Sequence, residues 1–418
     1  MDFRILPPDG ILEASASLPL SKSINARAIV MAHIAGSSEE PVACDDTRTL
    51  ASILSAAKLE GTVDVGPAGT AMRFLTALAA ASPGCVCTVT GSDRMCRRPI
   101  APLVDALRRL GANIKYEGTE GYPPLHIEGR RLSGGTIDID ASVSSQFISA
   151  LMMVTPLMEA PLEIELKGNA GSLPYIKMTA EMMRRRGVNV DVEPLRIHVD
   201  NTPYRAPHAD DAEPDWSAAA FWYEIAALSA GWVTLAGMRE NSIQGDSAQA
   251  ALFEKLGVTT EFTDDGAELS ATPELFNSLD ADMSGMPDAV PALAVTACMV
   301  GAPFRFSGVG ALHHKECDRL EALVNELAKL GFPLEIEAYG TVLSWDGRRL
   351  PVRELPVFDT YKDHRMAMAL APTAIFVPGI VVRDADVVGK SYPDFWKHLQ
   401  EAGFTLLDPS EPIPEPVE

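Results

Sequence analysis

The chain has 418 residues, is 47% hydrophobic and carries a formal net charge of −22. That composition suits a globular protein with room for two cores, and the charge excludes a general binder of nucleic acid or acidic membrane surfaces. Six cysteines without a C-x-x-C spacing exclude a disulfide framework and a zinc cluster, and no apolar run reaches the roughly 20 residues that span a bilayer.

Phe3 to Leu6 and Ile11 to Ser17 read as strands that belong to no unit of their own. From there a pattern repeats: a short polar opening, an apolar helix, a β-like stretch, an amphipathic helix and a strand hairpin. The openings are Ser21-Lys22-Ser23, Ala68-Gly69-Thr70, Ser144-Ser145-Gln146, Asp215-Trp216-Ser217, Pro287-Asp288-Ala289 and Asp363-His364-Arg365. The apolar helices that follow include Ala26 to Ala35, Met72 to Ala81 and Ala218 to Ala230. The amphipathic helices are expected over Leu50 to Leu59, Ile100 to Leu110, Tyr175 to Arg186, Ala248 to Leu256, Arg319 to Leu330 and Pro393 to Ala402. Each is stopped by a glycine: Gly61, Gly111, Gly187, Gly257, Gly331 and Gly403. Hairpins such as Asn113 to Tyr116 with Leu125 to Glu128 complete the units.

Successive openings lie about 70 to 76 residues apart, except that the first interval, from Lys22 to Gly69, is about 47. The expected architecture is therefore α/β, with six β-α-β-α-β-β units, the first shortened by one hairpin. The last unit runs out near Leu407, so the N-terminal strands are expected to close it. Three units would form an inserted domain (residues 20–214), and residues 1–19 with 215–418 the other. A cleft between two such halves is a favoured ligand site. The tail from Pro409 is acidic and Pro-rich, the composition of a disordered segment.

Several openings hold groups that suit anions, because a helix N-terminus presents unpaired N–H groups and the positive end of a dipole. Lys22 stands where a cation is electrostatically unfavourable, so it is either solvated or there to meet an anion, with Ser23 and Arg27 beside it. Gly66-Pro67-Ala68-Gly69-Thr70 with Arg73 is a backbone anion cradle or an ordinary tight turn. Ser142, Ser144 and Ser145 exceed the single serine a cap requires. Arg94, Arg97 and Arg98 sit on a loop entering a helix. Arg184-Arg185-Arg186 closes a helix, where cations complement the dipole, and reads as structural. Asp288 is a cap candidate or a proton acceptor. Lys315, Glu316 and Arg319 share one turn, Arg365 opens an apolar helix, and Lys390 precedes the last one. Together these cations would make a positive pocket inside an acidic shell. Such a pocket suits two small, multiply charged anions, with Asp288 and Glu316 left for proton transfer.

These segments resemble those of the enolpyruvyl transferases. The resemblance rests on Leu18 to Ser23 with Arg27, Ala68-Gly69-Thr70-Ala71-Met72-Arg73, Arg94-Met95 with Arg98-Pro99-Ile100, and Ser142 to Phe147. It continues through Pro174-Tyr175-Ile176, Asn241 to Asp246, Pro287-Asp288-Ala289, Lys315-Glu316 with Asp318-Arg319-Leu320, and Asp363 to Met368. It implies a two-domain inside-out α/β barrel with the site in the inter-domain cleft. The implied reaction moves the enolpyruvyl group of phosphoenolpyruvate to the 5-hydroxyl of 3-phosphoshikimate and releases phosphate. By resemblance, Lys22, Ser23, Arg27, Ser144, Ser145, Gln146, Ser172, Tyr175, Asp288 and Lys315 would hold 3-phosphoshikimate. Lys22, Gly69, Arg94, Gln146, Arg319, Arg365 and Lys390 would hold phosphoenolpyruvate. Asp288 would take the hydroxyl proton, and Glu316 or Lys22 would supply the proton to the methylene carbon. The resemblance further implies no metal or organic cofactor, a cytoplasmic monomer without nucleic-acid or membrane partners, and inhibition by glyphosate. The start, Met1-Asp2-Phe3-Arg4, lacks the basic lead of a secretory signal, in keeping with a cytoplasmic location.

The sequence departs from the family pattern at Pro67 and Ala311, where asparagines are usual, and at Leu20, where glycine is usual. Two other readings follow. One is the related transferase acting on UDP-N-acetylglucosamine, which usually carries a Gly-Cys loop motif; here Cys96 stands between Met95 and Arg97. The other is a non-catalytic anion-binding relative.

Overall fold

The computed structural model describes residues 1–38, 43–56, 59–140, 144–168, 173–205, 212–229, 231–272 and 278–411. They form two compact units, one of residues 20–213 with 243–245, the other of residues 1–19, 214–242 and 246–418. The sequence places the crossings near Pro19 and Pro214. The structure adds a short excursion at Ile243–Gly245, which falls with the 20–213 unit.

Residues 20–213 hold helices α1 (Lys22–Ile34), α2 (Asp45–Leu54), α3 (Gly69–Ala81), α4 (Ala101–Arg109), α5 (Ser145–Val154) and α6 (Leu173–Arg185). Strands numbered in chain order through the whole protein begin with β1 (Phe3–Leu6) and β2 (Glu13–Ala16). In this unit they are β3 (Glu60–Asp64), β4 (Val86–Thr90), β5 (Asn113–Tyr116), β6 (Leu125–Glu128), β7 (Gly135–Asp140), β8 (Leu162–Lys167), β9 (Val190–Val192) and β10 (Arg196–Val199). They make two sheets of one pattern, β3-β4-β6-β5 and β7-β8-β10-β9, with the first pair parallel and the others antiparallel. Helices α1, α3 and α5 are apolar on nearly every face and are correspondingly buried. Packed against one another, they form the centre of the unit. The amphipathic α4 and α6 bury one face only.

The first unit differs from expectation. Its second helix runs over Asp45–Leu54 rather than Leu50 to Leu59, because Asp45 and Asp46 fill a first turn closed by a Cys44–Thr47 capping box. Gly61, expected as its stop, lies inside β3. Only residues 55–59 separate α2 from β3, too few for a hairpin. No strand is seen between α1 and α2 among the described residues.

The other unit holds α7 (Trp216–Leu228), α8 (Gln249–Lys255), α9 (Val290–Val300), α10 (Arg319–Lys329), α11 (His364–Leu370) and α12 (Phe395–Glu401). Its later strands are β11 (Trp232–Ala236), β12 (Val258–Phe262), β13 (Gly266–Ala271), β14 (Leu279–Asp282), β15 (Phe304–Ser307), β16 (Glu335–Glu337), β17 (Val342–Trp345), β18 (Val357–Phe358), β19 (Ile380–Val382) and β20 (Thr405–Leu407). The sheet orders are β12-β13-β11-β2, β14-β15-β17-β16 and β18-β19-β1-β20. The N-terminal strands therefore part company. β1 lies antiparallel between β19 and β20 and completes the last unit. β2 pairs in parallel with β11 and is the opening strand of the fourth unit, so the whole 20–213 unit is inserted between β2 and α7. At Gly331 after α10, φ is +87° and a Cβ would meet the Leu350 carbonyl at 2.3 Å, so only glycine fits that helix stop.

Helix α7 carries an unexpected charge. Glu224 is fully buried, and neither carboxylate oxygen has a partner. Burial holds its carboxyl well above the usual range, so it is protonated in the fold and ionised in the unfolded chain at neutral pH. The unfolded chain then binds fewer protons, and stability falls as pH rises above about 4.3, the ordinary glutamate value. Glu224→Met is expected to raise stability by about 1–3 kcal/mol at pH 7.5, with the gain shrinking toward pH 4. Urea unfolding at the two pH values checks this; a gain that grows toward acid would refute the buried neutral carboxyl.

Candidate active site

In the 20–213 unit, the helix openings bring the expected residues together unevenly. Ser21 caps α1, accepting from the Ile24 N–H at 3.5 Å. Lys22, the first helical residue, pairs with Asp46 of α2, Nζ to Oδ2 3.5 Å, and both side chains are largely buried. Arg27, one turn on, is a core residue. Its Nε donates to Thr179 Oγ1 at 2.7 Å, Nη1 to the Ser23 carbonyl at 2.7 Å and Nη2 to Ser149 Oγ at 3.1 Å. Burial lowers its proton affinity to about 10, which leaves it charged at neutral pH. Arg27 thus ties α1 to α5 and α6, and Ser23 joins that tie through its carbonyl.

Ser144 caps α5, accepting from the Gln146 N–H at 3.3 Å, and Ser145 is buried in the first turn. The Gln146 side chain reaches the opening of α3, where its Nε2 donates to Thr70 Oγ1 at 3.2 Å. Gly69 is the first residue of α3, and Arg73 Nη1 donates back to its carbonyl at 2.9 Å. Arg94 is exposed at the head of a 3₁₀ turn, Met95–Arg97. Tyr175 is half-buried in the first turn of α6. Ser172 and Ser142 lie outside the described residues. Arg186, expected merely to complement a helix end, is fully buried and reaches the Ala28 carbonyl.

The other unit concentrates charge around one carboxylate. Asp288 lies in a 3₁₀ turn, Pro287–Ala289, at the head of α9 and makes no cap. Its Oδ1 accepts from Lys315 Nζ at 3.3 Å and Arg319 Nη1 at 2.8 Å, and its Oδ2 from Arg365 Nη2 at 3.1 Å. Arg365 Nη1 also donates to the Asp288 carbonyl at 3.3 Å. Arg319, 1% exposed, turns its Nε to Asp363 Oδ2 at 2.7 Å and its Nη2 to Glu316 Oε2 at 2.8 Å. Glu316 in turn pairs with Lys390, Oε1 to Nζ 3.0 Å. Burial lowers the Lys315 ammonium from its usual value, with Asp288 opposing. For Arg319 burial works the same way, but Asp363, Glu316 and Asp288 prevail and hold it well above the usual guanidinium range.

Asp363, fully buried, serves twice. It caps α11 through the Arg365 N–H at 3.0 Å and is the main counter-charge of Arg319. The Asp-His-Arg opening signals the cap, but nothing local signals the second role. Nothing local signals Asp46 and Thr70 as partners of Lys22 and Gln146 either. Asp246, also buried, accepts from Ser217 Oγ. Burial first, and Asp288 second, raise its carboxyl to about 6. At the opening of α7 Asp215 acts as the cap, accepting from the Ser217 N–H at 2.9 Å.

Each cluster can bind an oxyanion by exchanging an internal ion pair for an external one. The Asp288 cluster adds a carboxylate beside guanidinium and ammonium donors, residue types that serve proton transfer and charge stabilisation in anionic group transfer. No group of His, Cys, Asp and Glu residues able to hold a metal occurs among the described residues, and no helix there is long and apolar enough to cross a membrane.

The repeated units and their charged helix openings have the fold of the enolpyruvyl transferases. EPSP synthase from Acinetobacter baumannii superposes with a TM-score of 0.73, at 20% identity, over 97% of this chain and 100% of that one. The enolpyruvyl transferase NikO from Streptomyces tendae gives 0.71 at 17% identity, over 97% and 98%.

Within that class the sequence is more specific. The family model of EPSP synthase (3-phosphoshikimate 1-carboxyvinyltransferase) matches residues 49–399. A 3-phosphoshikimate 1-carboxyvinyltransferase of Bacteroides fragilis is 43% identical over 97% of this chain and 99% of the relative. One from Syntrophobacter fumaroxidans is 33% identical over 95% and 99%. The chain belongs to the EPSP synthase family.

Proposed function

We propose that this protein transfers the enolpyruvyl group of phosphoenolpyruvate to the 5-hydroxyl of 3-phosphoshikimate and releases inorganic phosphate, a step of aromatic biosynthesis. Membership of the family supports the reaction. The observation that carries the mechanism is Asp288 held between Lys315, Arg319 and Arg365.

In the addition step the 5-hydroxyl oxygen bonds to C2 of phosphoenolpyruvate, Asp288 takes the hydroxyl proton, and C3 gains a proton to become a methyl group. The tetrahedral product carries both carboxylate and phosphate on C2. In elimination the C2–O(phosphate) bond breaks, phosphate leaves, and the methyl group returns a proton to regenerate the double bond. Glu316, lodged between Arg319 and Lys390, or Lys22 exchanges that methyl proton. Arg319, Arg365, Lys390, Arg94, Gly69, Gln146 and Lys22 bind phosphoenolpyruvate in this reading. They stabilise charge as it moves from the enol ester onto phosphate. Ser23, Arg27, Ser144, Ser145, Gln146, Ser172, Tyr175, Asp288 and Lys315, again with Lys22, hold 3-phosphoshikimate. Arg27 does so while also tying three helices together. In this reading the enzyme works in the cytoplasm as a monomer, and sedimentation at working concentration checks the oligomeric state.

Phosphate release is expected only when both substrates are present. Release with UDP-N-acetylglucosamine in place of 3-phosphoshikimate would assign the related transferase instead. Binding of both substrates without release would leave a non-catalytic relative.

A further inference from the structure

Two successive residues before α11 adopt a backbone conformation that side chains disfavour. Tyr361 has φ +53° and Lys362 φ +58°, the left-handed region in which Cβ crowds a carbonyl oxygen. The turn closes with the Asp363 N–H on the Thr360 carbonyl at 2.8 Å, and Thr360 is buried. What it delivers is the opening of α11, where Asp363 meets Arg319 Nε and Arg365 meets Asp288. Backbone strain of this kind persists only where the surroundings enforce it, and it gathers at functional sites.

The enforcement comes from α10. Glu326 is fully buried and directs both carboxylate oxygens at the segment that makes the turn. Its Oε1 accepts from the Tyr361 hydroxyl at 2.7 Å, and its Oε2 from the Asp359 N–H at 3.0 Å and Lys329 Nζ at 2.6 Å. Lys329 also donates to the Val357 carbonyl at 2.9 Å, so the chain is gripped from β18 to Tyr361. Arg383, just past β19, holds the Asp359 side chain, Nη1 to Oδ1 3.0 Å. Burial first, and Glu326 second, raise the Tyr361 hydroxyl well above the usual phenol value, so it remains a donor at neutral pH.

Glu326 lies seven residues after Arg319 on α10, so the two share one side of the helix. One helix thus carries the guanidinium that meets Asp363 and the carboxylate that shapes the turn delivering Asp363. For stability alone, a buried charge is often no better than an apolar side chain of its size. The three bonds of Glu326 therefore call for a further reason, and the strained turn supplies one.

We infer that Glu326 is a positioning residue for phosphoenolpyruvate binding, holding the 359–362 turn in its strained form so that Asp363 and Arg365 stay in register with Arg319 and Asp288. The inference rests on the reaction proposed above and adds to it a residue that acts through others.

The test uses the full-length enzyme with Glu326→Gln and Tyr361→Phe. Glutamine keeps the size but offers one acceptor oxygen to three donors. Glu326→Gln is expected to lower kcat/KM for phosphoenolpyruvate on the order of 10- to 100-fold, the effect of a small misplacement of the groups that bind it. The loss should fall mostly on KM, while KM for 3-phosphoshikimate stays within about 2-fold. Tyr361→Phe removes one donor and leaves two, so it should lose less. Lys362→Gly relieves one left-handed residue. By itself it should leave activity within about 2-fold of wild type, and in the Glu326→Gln background it should recover kcat/KM on the order of 5-fold. Loss of a buried ion pair alone would lower Tm without being remedied by that glycine. Should Glu326→Gln fail to fold, Tyr361→Phe with and without Lys362→Gly carries the same comparison. Unchanged kcat/KM, or a loss that Lys362→Gly does not reduce, overturns the assignment and leaves the reaction standing. A wild type that releases no phosphate overturns the reaction. Calorimetric titration with phosphoenolpyruvate then decides on Glu326: binding about 10-fold weaker in Glu326→Gln supports the positioning role, and equal binding overturns it.

Discussion

Replacing Asp288 by asparagine is expected to lower kcat by about 10³-fold, within the 10²- to 10⁴-fold range that a positioned general base contributes. Asparagine keeps the shape and one acceptor oxygen, so Arg319, Arg365 and Lys315 retain part of their geometry. What it cannot do is accept the 5-hydroxyl proton. The same change leaves three cations with one counter-charge fewer, so some loss of stability accompanies it. Binding should suffer less than turnover, because phosphoenolpyruvate brings anionic groups that the freed cations can meet. The informative comparison is kcat for phosphate release against KM for phosphoenolpyruvate, with Tm measured on the same preparations. A variant that turns over near the wild-type rate removes Asp288 from the proton path.

How much of this was legible beforehand depends on the range over which each feature is decided. Caps and apolar helices are local. Ser21, Ser144, Asp215 and Asp363 precede runs that are apolar all round, and the structure uses all four as caps. The repeat was legible for the same reason, since each unit spells its own strands, helices and stop. Partners set by tertiary structure were not legible. Arg27 finds Thr179 and Ser149 at separations of 152 and 122 residues, so a cation that reads as a mouth residue is also a core tie. Asp46 becomes the counter-charge of Lys22 only because α2 begins five residues earlier than its apolar spacing suggests. There the acidic first turn and the capping box outweighed the periodicity. The parting of β1 and β2 was hidden because strand propensity names no partner; only the shared sheet pattern shows that β2 is the strand α7's unit lacked. Glu224 reads as an ordinary break in an apolar helix, and nothing around it in sequence says that all faces of α7 are covered.

Arg319 offers the other large effect, and one in which binding and folding can be pulled apart. Arg319→Met leaves Asp363 fully buried with its principal counter-charge gone, and takes one partner each from Glu316 and Asp288. Breaking a buried pair from one side costs about 3–5 kcal/mol. For a unit of roughly 200 residues that is a Tm lower by about 10 °C. Phosphoenolpyruvate would lose a guanidinium as well, so kcat/KM should fall by about 10²-fold or more. The two losses have different remedies. Removing the stranded charge with Asp363→Asn in the Arg319→Met background should recover a substantial part of the Tm, since a neutral pair needs no counter-ion and the amide oxygen can still cap α11. It should recover little of kcat/KM, because no cation has returned to the site. If both recover together, Arg319 serves the enzyme by neutralising Asp363, and the substrate's charge is met by Arg365 and Lys390 without it. If neither recovers, the cap at Asp363 depends on its charge, and α11, with Arg365 in its first turn, is held in place by the Arg319–Asp363 pair itself.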